Sequence, residues 1–452
     1  MGDREEIVRL LSGCMLVLLL VPAAGGAESS VSFPEALILA LERNHLVAGA
    51  AHERTAAERA VAVSRSRYFP RIIFDENFAA SNSPTRVFMM KLDQGRFTQN
   101  DFLISELNSP SSTTDFRTMV TLEQPLLDFG IGHGRDVAVK EAEEQGLRYD
   151  RRREEVGYGV CVAYLQVQKA AAVLEATDQE VTEAKESLRL ATVRSEQGAG
   201  LRSDELRART FLSETEQHAI TALNDLKIAK MRLALAVGGS SGDSLNITGP
   251  IVGKPLRLQE EELVRLALET RQDLKGMGKG VEKAEASERL AKSGWLPTVY
   301  GGASYQMHDQ DIPFGNDNDA WSAGVNLRWE LFDGMRRSHE QGRAAAIREA
   351  AAQYLEQYRK EVVLQVRESL YRRSEAGKRL EVARHAYLAA EEGKRLVTKR
   401  FENGLATMVE LLDAQSSLNR SRSGLVENEV EQLLATARVY HAAGVFLKEM
   451  GQ

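Results

Sequence analysis

Two stretches 205 residues apart constrain the fold of this chain more than any other feature. In residues 320–334, Trp321, Ala323, Val325, Leu327 and Trp329 fall on one side at period two. Ser322, Gly324, Asn326, Arg328 and Glu330 fall on the other. Such alternation describes a strand with one apolar and one polar face, fit for a core and water, or for lipid and a wet lumen. The earlier stretch, 120–130, repeats it: Val120, Leu122, Leu126 and Asp128 correspond to Val325, Leu327, Leu331 and Asp333. A long helical pattern follows each.

The remaining self-similarity has the same order. Residues 34–70 correspond to 261–297 at an offset of 227, with Tyr68-Phe69-Pro70 meeting Trp295-Leu296-Pro297. Arg194, Gly198, Ala208 and Gly238 correspond to Arg400, Gly404, Ala414 and Gly444 at 206. Ordered offsets of this kind mean a duplicated unit. The units are expected at 28–238 and 258–452, joined by a Gly/Ser/Pro-rich linker at 239–257. In each, a helix (34–66, then 261–293) leads to two strands, about 71–81 and 116–127, then about 298–308 and 320–332. Two long helices follow, turning at Gly198 or Gly404. The drop in offset places about 22 extra residues between the first two strands. That segment, 82–115, is expected to be a plain solvated loop, the alternative being a partial cap over the mouth of a strand-built pore.

The long helices carry a seam. Val160, Ala163, Val167, Ala170, Leu174, Thr177, Val181, Ala184, Leu188 and Ala191 recur at three and four, as do Ala376, Leu380, Ala383, Tyr387, Ala390 and Val397. That spacing means helix-on-helix packing, and it suits an ordinary antiparallel bundle as well as a coiled-coil tube.

Composition narrows the class. The 452 residues are 27 % charged and only 6 % aromatic, which favours long helices, and the net charge of −7 disfavours a nucleic-acid partner. With two cysteines, Cys14 and Cys161, there is no disulfide framework. Arg4 and Arg9 precede an apolar run, Leu10 to Val21, and Gly25-Gly26-Ala27 fits a cleavage site, so residues 1–27 are expected to be a signal peptide. Leu11-Ser12-Gly13-Cys14 resembles a lipoprotein box, but its apolar run follows the cysteine, so lipidation is not expected. No other stretch approaches a membrane helix. A membrane-embedded form would therefore be a closed β-barrel, which four strands cannot make alone. Three chains would supply twelve.

Ala36-Leu37 through Asn44, Phe69-Pro70, Gln124-Pro125-Leu126-Leu127-Asp128, Trp295-Leu296-Pro297, Leu331-Phe332-Asp333-Gly334, and Gly404-Leu405 through Leu412-Asp413-Ala414 together resemble the TolC-type outer-membrane efflux proteins. The ordered set spans the chain beyond its leader. Asn44 and Arg271 are followed by His45 and Gln272, where the family commonly has proline. The resemblance implies a mostly α fold with a small β part: a trimeric twelve-stranded outer-membrane barrel, four strands per chain, continued by a coiled-coil α-helical periplasmic barrel. It also implies a passive export duct, and partners that include a homotrimer, outer-membrane lipid, and a periplasmic adaptor reaching an inner-membrane RND or ABC transporter. No enzyme activity and no cofactor are expected. The alternative is a non-channel periplasmic coiled-coil adaptor.

Glu410 and Asp413 share a helix face, and the resemblance places them at an acidic periplasmic aperture with Asp204 as a third candidate. A solvated face near a helix N-terminus would look the same. The family's tethering arginine is replaced by Ala406, which leaves Arg202 or Arg400 as substitutes. Phe401 is a candidate for narrowing the aperture, or for plain packing. Gly198, Gly200, Gly404 and Leu405 form the tips, as turn geometry or as adaptor contact. Trp295, Tyr305, Trp321 and Trp329 are candidate lipid-interface aromatics, which would turn Arg328 and Glu330 to the lumen. Gly130-Ile131-Gly132-His133-Gly134 lacks the spacing of a phosphate loop and is read as a bend. The eight histidines are scattered and none is paired at metal-ligand spacing in both units.

Overall fold

A computed structural model describes residues 30–240, 243–251 and 258–450. The expected leader at 1–27 and part of the 239–257 linker lie outside them. The first unit contains β1 (Ser30–Val31), α1 (Phe33–Arg43), α2 (His45–Ser66), β2 (Arg71–Ser81), α3 (Pro84–Asp93), α4 (Ile104–Asn108), β3 (Thr113–Leu127), α5 (Phe129–Glu196) and α6 (Arg202–Val237). After β4 (Asn246–Ile247), the second contains α7 (Glu260–Thr270), α8 (Gln272–Ser293), β5 (Thr298–Asp309), β6 (Asn318–Arg328), α9 (Arg336–Glu402), α10 (Met408–Ala442) and α11 (Phe446–Met450). The 68 residues of α5 and 67 of α9 make rods of roughly 100 Å. None of the described helices is long and apolar enough to cross a membrane.

β2, β3, β5 and β6 form one antiparallel sheet in that order. Its register pairs Phe74 with Val120, Val120 with Tyr305, and Tyr305 with Trp321. Since side chains alternate across a strand, one face collects Ile72, Phe74, Phe78, Val120, Leu122, Tyr305, Trp321, Val325 and Leu327. The other collects Asp75, Asn77, Arg117, Thr121, Ser304, Gln306, Ser322, Asn326 and Arg328. Among the described residues, Phe314 of the β5–β6 turn stacks on Phe74 at 6.1 Å, and the rest of the apolar face lies largely open: Ile72 is 73 %, Trp321 77 % and Val325 70 % exposed. The outer edges of β2 and β6 are unpaired.

Three expectations need correction. The last strand stops at Arg328 instead of about 332. Arg328 pairs with Thr298, and the next position across is Pro297, which has no N–H to extend the ladder. The helices expected over 34–66 and 261–293 are each broken. Asn44 is extended (ψ 124°), accepts from Leu46 N at 2.9 Å and donates to Ala236 O at 2.8 Å, so it both caps α2 and ties it to the end of α6. Arg271 (ψ 121°) makes the equivalent tie, without the cap, at the end of α10, where its Nη1 reaches Ala442 O at 3.3 Å. Finally, 82–115 is no plain loop. It carries α3, a 3₁₀ turn and α4, and β3 begins at Thr113, not 116.

The main core lies part-way along the stem, as a belt around the long helices. Ala36, Ala40, Val160, Tyr164, Leu165, Leu233, Leu263, Val362, Val366, Val439 and Phe446 pack there. Parallel pairing of β1 with β4 and a 2.6 Å bond from Tyr164 Oη to Gly249 O close the belt. The long helices end alike: Ala199 N reaches Arg194 O, Gly239 N reaches Ala234 O, Leu405 N reaches Arg400 O, and Val445 N reaches Tyr440 O. Each bond flanks a left-handed glycine, the pattern that satisfies a helix's last carbonyls.

At Gly238 a side chain has neither the conformation nor the room. Its φ is +96°, and a Cβ would lie 2.8 Å from Arg43 C and O. Gly238→Ala should destabilise the belt by about 1–3 kcal/mol, lowering the thermal midpoint of the helical circular-dichroism signal. Gly49→Ala, with nothing within 4 Å, should leave that midpoint unchanged or raise it.

Candidate functional site

The stem ends in two helical turns, one from each unit. Gly198 has φ +72° and Gly404 φ +71°, so both tips use the left-handed region that favours glycine. Gly200 closes the first turn against Arg194, whose Cβ lies 3.0 Å from where a Gly200 Cβ would stand. Leu201 and Leu405 project from the tips, two-thirds exposed.

Behind the tips the units are clamped together. Ala191, Ala208, Phe401, Met408 and Leu411 form a small buried cluster. Phe401 is only 4 % exposed, so its candidacy as a lumen-narrowing aromatic is corrected: α5 and α6 bury it. Arg194 completes the clamp. Its guanidinium lies 4.2 Å from the Phe401 ring centroid and donates to Phe401 O at 2.7 Å and Glu402 O at 3.1 Å. A polar layer sits higher up, where Glu183 meets Lys394 at 3.3 Å and Arg422 at 3.8 Å, and Ser187 bonds Gln415.

Glu410 is exposed and occupies the third position of a capping box. Its carboxylate accepts from Thr407 N at 2.6 Å and Thr407 Oγ1 at 3.0 Å. The Thr407 backbone N–H and hydroxyl hold this carboxyl below the usual range. Asp413, one turn on, is exposed, and Asp204 is half-buried in the first turn of α6. The neighbouring Glu205 is buried between Arg202 and Arg209. The two arginines proposed as a replacement latch are therefore engaged: Arg202 with Glu205, and Arg400 with Leu405 O at 3.0 Å. Thr407-x-x-Glu410 was readable as a capping-box motif. Arg194 was visible only as the repeat partner of Arg400, and nothing local marked its reach across the units.

At the opposite end the four aromatics form two groups. Tyr305 and Trp321 are paired across β5 and β6 on the apolar face. Trp295 and Trp329 meet at the strand-to-helix junction, where Trp329 Nε1 donates to Trp295 O at 3.2 Å. Arg337 secures that junction: it lies 4.6 Å from the Trp295 ring centroid, with Asp333 at 2.8 Å and Gly294 O at 3.1 Å. In the first unit Asp128 does the corresponding work, accepting from Gly130 N at 2.8 Å and from Tyr300 Oη at 2.6 Å. The glycines after Asp128 thus lie at a strand-to-helix bend, as expected. Among the described residues no cluster of three metal-ligating side chains occurs.

A largely uncovered amphipathic sheet with open edges, carried on a duplicated helical stem, defines a subunit of a helix-stemmed membrane channel. Residues 36–239 and 263–445 match the family described as outer membrane efflux protein, and the chain belongs to that family. It is 26 % identical over 457 aligned residues to the outer membrane efflux protein BepC of Brucella suis biovar 1, covering 96 % of this chain and 88 % of that one. It is 23 % identical to the outer membrane protein TolC of Vibrio cholerae, covering 96 % of both. The fold superposes on a membrane protein from Pseudomonas aeruginosa with a TM-score of 0.79 at 18 % identity, covering 94 % of this chain and 98 % of that one. The CmeC outer membrane channel of Campylobacter jejuni gives 0.79 at 13 % identity, covering 94 % and 90 %.

Phe401→Ala should cost about 3–5 kcal/mol locally and open the tips to limited proteolysis near 198 and 404 while the belt stays protected. Thr407→Ala should weaken the start of α10 by about 1 kcal/mol, read as faster amide exchange over 408–413. The Glu410 carboxyl is lowered, so its contribution is complete above the unfolded value near pH ~4.3 and is lost only as pH falls through the folded value. Exchange at these amides, corrected for intrinsic rates, should not change between pH 8 and 6.

Proposed function

We propose that three copies of this chain form one passive export duct through the outer membrane and periplasm, with residues 1–27 directing export of the precursor. The observation that carries this reading is the sheet, whose apolar face is largely uncovered and whose two edges are unpaired. In lipid every backbone group must be satisfied within protein, so the edges must pair with something. Three four-stranded sheets joined edge to edge give a closed twelve-stranded barrel with its apolar face to lipid and its polar face to the lumen. Trp329 and Trp321 are eight residues apart, roughly 27 Å along the chain and so roughly 20 Å of height at a ~40° tilt, near the apolar band of roughly 25 Å that aromatic girdles flank.

The stem also calls for neighbours. Tyr354, Leu364, Tyr371, Val382 and Leu388 leave one side of α9 apolar and exposed, and Ile220, Leu223 and Leu235 do the same on α6. Adjacent copies would bury these surfaces. The tips, with Leu201 and Leu405, face a periplasmic adaptor that connects to an inner-membrane RND or ABC transporter, which supplies the energy. Glu410, Asp413 and Asp204 surround the periplasmic aperture, where a carboxylate ring attracts cations and repels anions. The duct itself performs no chemistry. A periplasmic coiled-coil adaptor, the alternative, has no use for a sheet with lipid-facing tryptophans.

Reconstituted in planar bilayers, the protein should give cation-selective channels. Glu410→Ala with Asp413→Ala should weaken that selectivity and raise resting conductance. Unchanged selectivity and conductance would remove both residues from the aperture.

A further inference from the structure

The extra segment between β2 and β3 is a folded body rooted on the polar face of the sheet. Gln94, 1 % exposed just beyond α3, donates to Thr114 O at 2.8 Å and to Asp115 Oδ1 at 2.9 Å. Asp115, two residues before Arg117, shares its polar face, and its carboxylate meets His308 Nδ1 of the same face at 3.1 Å. Asn318 adds a 3.0 Å bond to Asp93 O. The segment has an interior of its own. Phe88 and Phe97 stack edge to face at 4.7 Å, Phe97 meets the exposed Phe102 at 5.0 Å at the margin, and Val87 and Met90 are buried. Lys91 pairs with Asp101 at 2.6 Å, and that bond, with the Thr98 backbone N–H and hydroxyl, holds the Asp101 carboxyl down to about 2. The pairing is intact at any pH at which an envelope protein works.

Beyond this interior the segment is apolar where it should meet water. Phe102, Leu103 and Ile104 are consecutive and exposed, Ile104 by 76 %, and Met89 is exposed on α3. A run of this kind on a folded body marks a contact surface.

We infer that these surfaces meet one another: the three inserts of a trimer converge through Phe102, Leu103 and Ile104 to form an apolar constriction at the outer mouth. The inference rests on the trimeric duct proposed above and adds a second closure at the end opposite the acidic aperture. Its occupant follows from geometry. Twelve strands spaced ~4.8 Å and tilted ~40° enclose a barrel of roughly 12 Å radius. The ten residues of α3 alone are roughly 15 Å long. Three such bodies rooted on the inner face of one rim reach the axis, and the nearest protein surface to each is another copy of itself. An apolar ring there excludes ions by dewetting while leaving a wall that larger cargo can push aside.

The test uses the full chain with Ile104→Cys. Cys161 is buried and its thiol is pushed up to about 12, so it does not compete, and the parental chain serves as control. Mild oxidation of outer membranes should give a covalent dimer of this chain from Ile104→Cys and none from the parent. Deletion of 96–111, and separately Gln94→Ala, should raise single-channel conductance with the detergent-stable trimer preserved. A trimeric channel whose thiols at position 104 bond to another protein or to nothing, or whose conductance ignores both changes, overturns the inference. Failure of the parental chain to form a trimeric channel would overturn the duct itself.

Discussion

Backbone hydrogen bonding at the two edges of one four-stranded sheet is the constraint on which the rest of the molecule depends. A sheet in water tolerates open edges at the risk of aggregation; a sheet in lipid does not tolerate them at all. This one exposes Ile72, Trp321 and Val325 on one side and presents Ser304, Ser322 and Asn326 on the other. Burying the apolar face in a private core would need a second layer, and the chain spends its remaining length on helices that run away from the sheet. We therefore read the sheet as a fraction of a barrel that neighbouring copies complete.

The stem follows from duplication under the same economy. Each unit makes a long helix, a glycine turn and a shorter returning helix, and all four helix ends close with the same left-handed glycine bond. Two rods in one chain must then be held in register along the stem and at the tips. The belt does this with apolar packing and with Asn44 and Arg271, which stand at equivalent breaks and reach equivalent helix ends. At the tips a five-residue cluster and one arginine suffice. So thin a clamp makes local rearrangement at the tips cheap, because few buried contacts mean a low cost of opening.

Much of this was legible in the residues. Period-two alternation marked 320–328 clearly and 71–81 only roughly, and the repeat offsets pointed to the other strands, the turns and the extra segment. Long-range partners were what local pattern could not supply. Phe401 at helical spacing could have faced a lumen or a neighbour, and its burial is decided by Ala208, nearly two hundred residues away. The breaks at Asn44 and Arg271 carry no proline or glycine; there those side chains bond the ends of α6 and α10, and Asn44 also caps α2. The end of β6 at Arg328 depends on Pro297, just before the paired strand β5. The insert looked like a polar loop because its ordering elements, Gln94, Asp115 and His308, are scattered through the sequence and meet only once the sheet has formed.

Amide hydrogen exchange at the two sheet edges tests the central claim most directly. In detergent-extracted protein, the outward-pointing amides of Arg71–Ser81 and Asn318–Arg328 should be protected as strongly as those facing β3 and β5. Free exchange along either edge, in an otherwise folded chain, would contradict it.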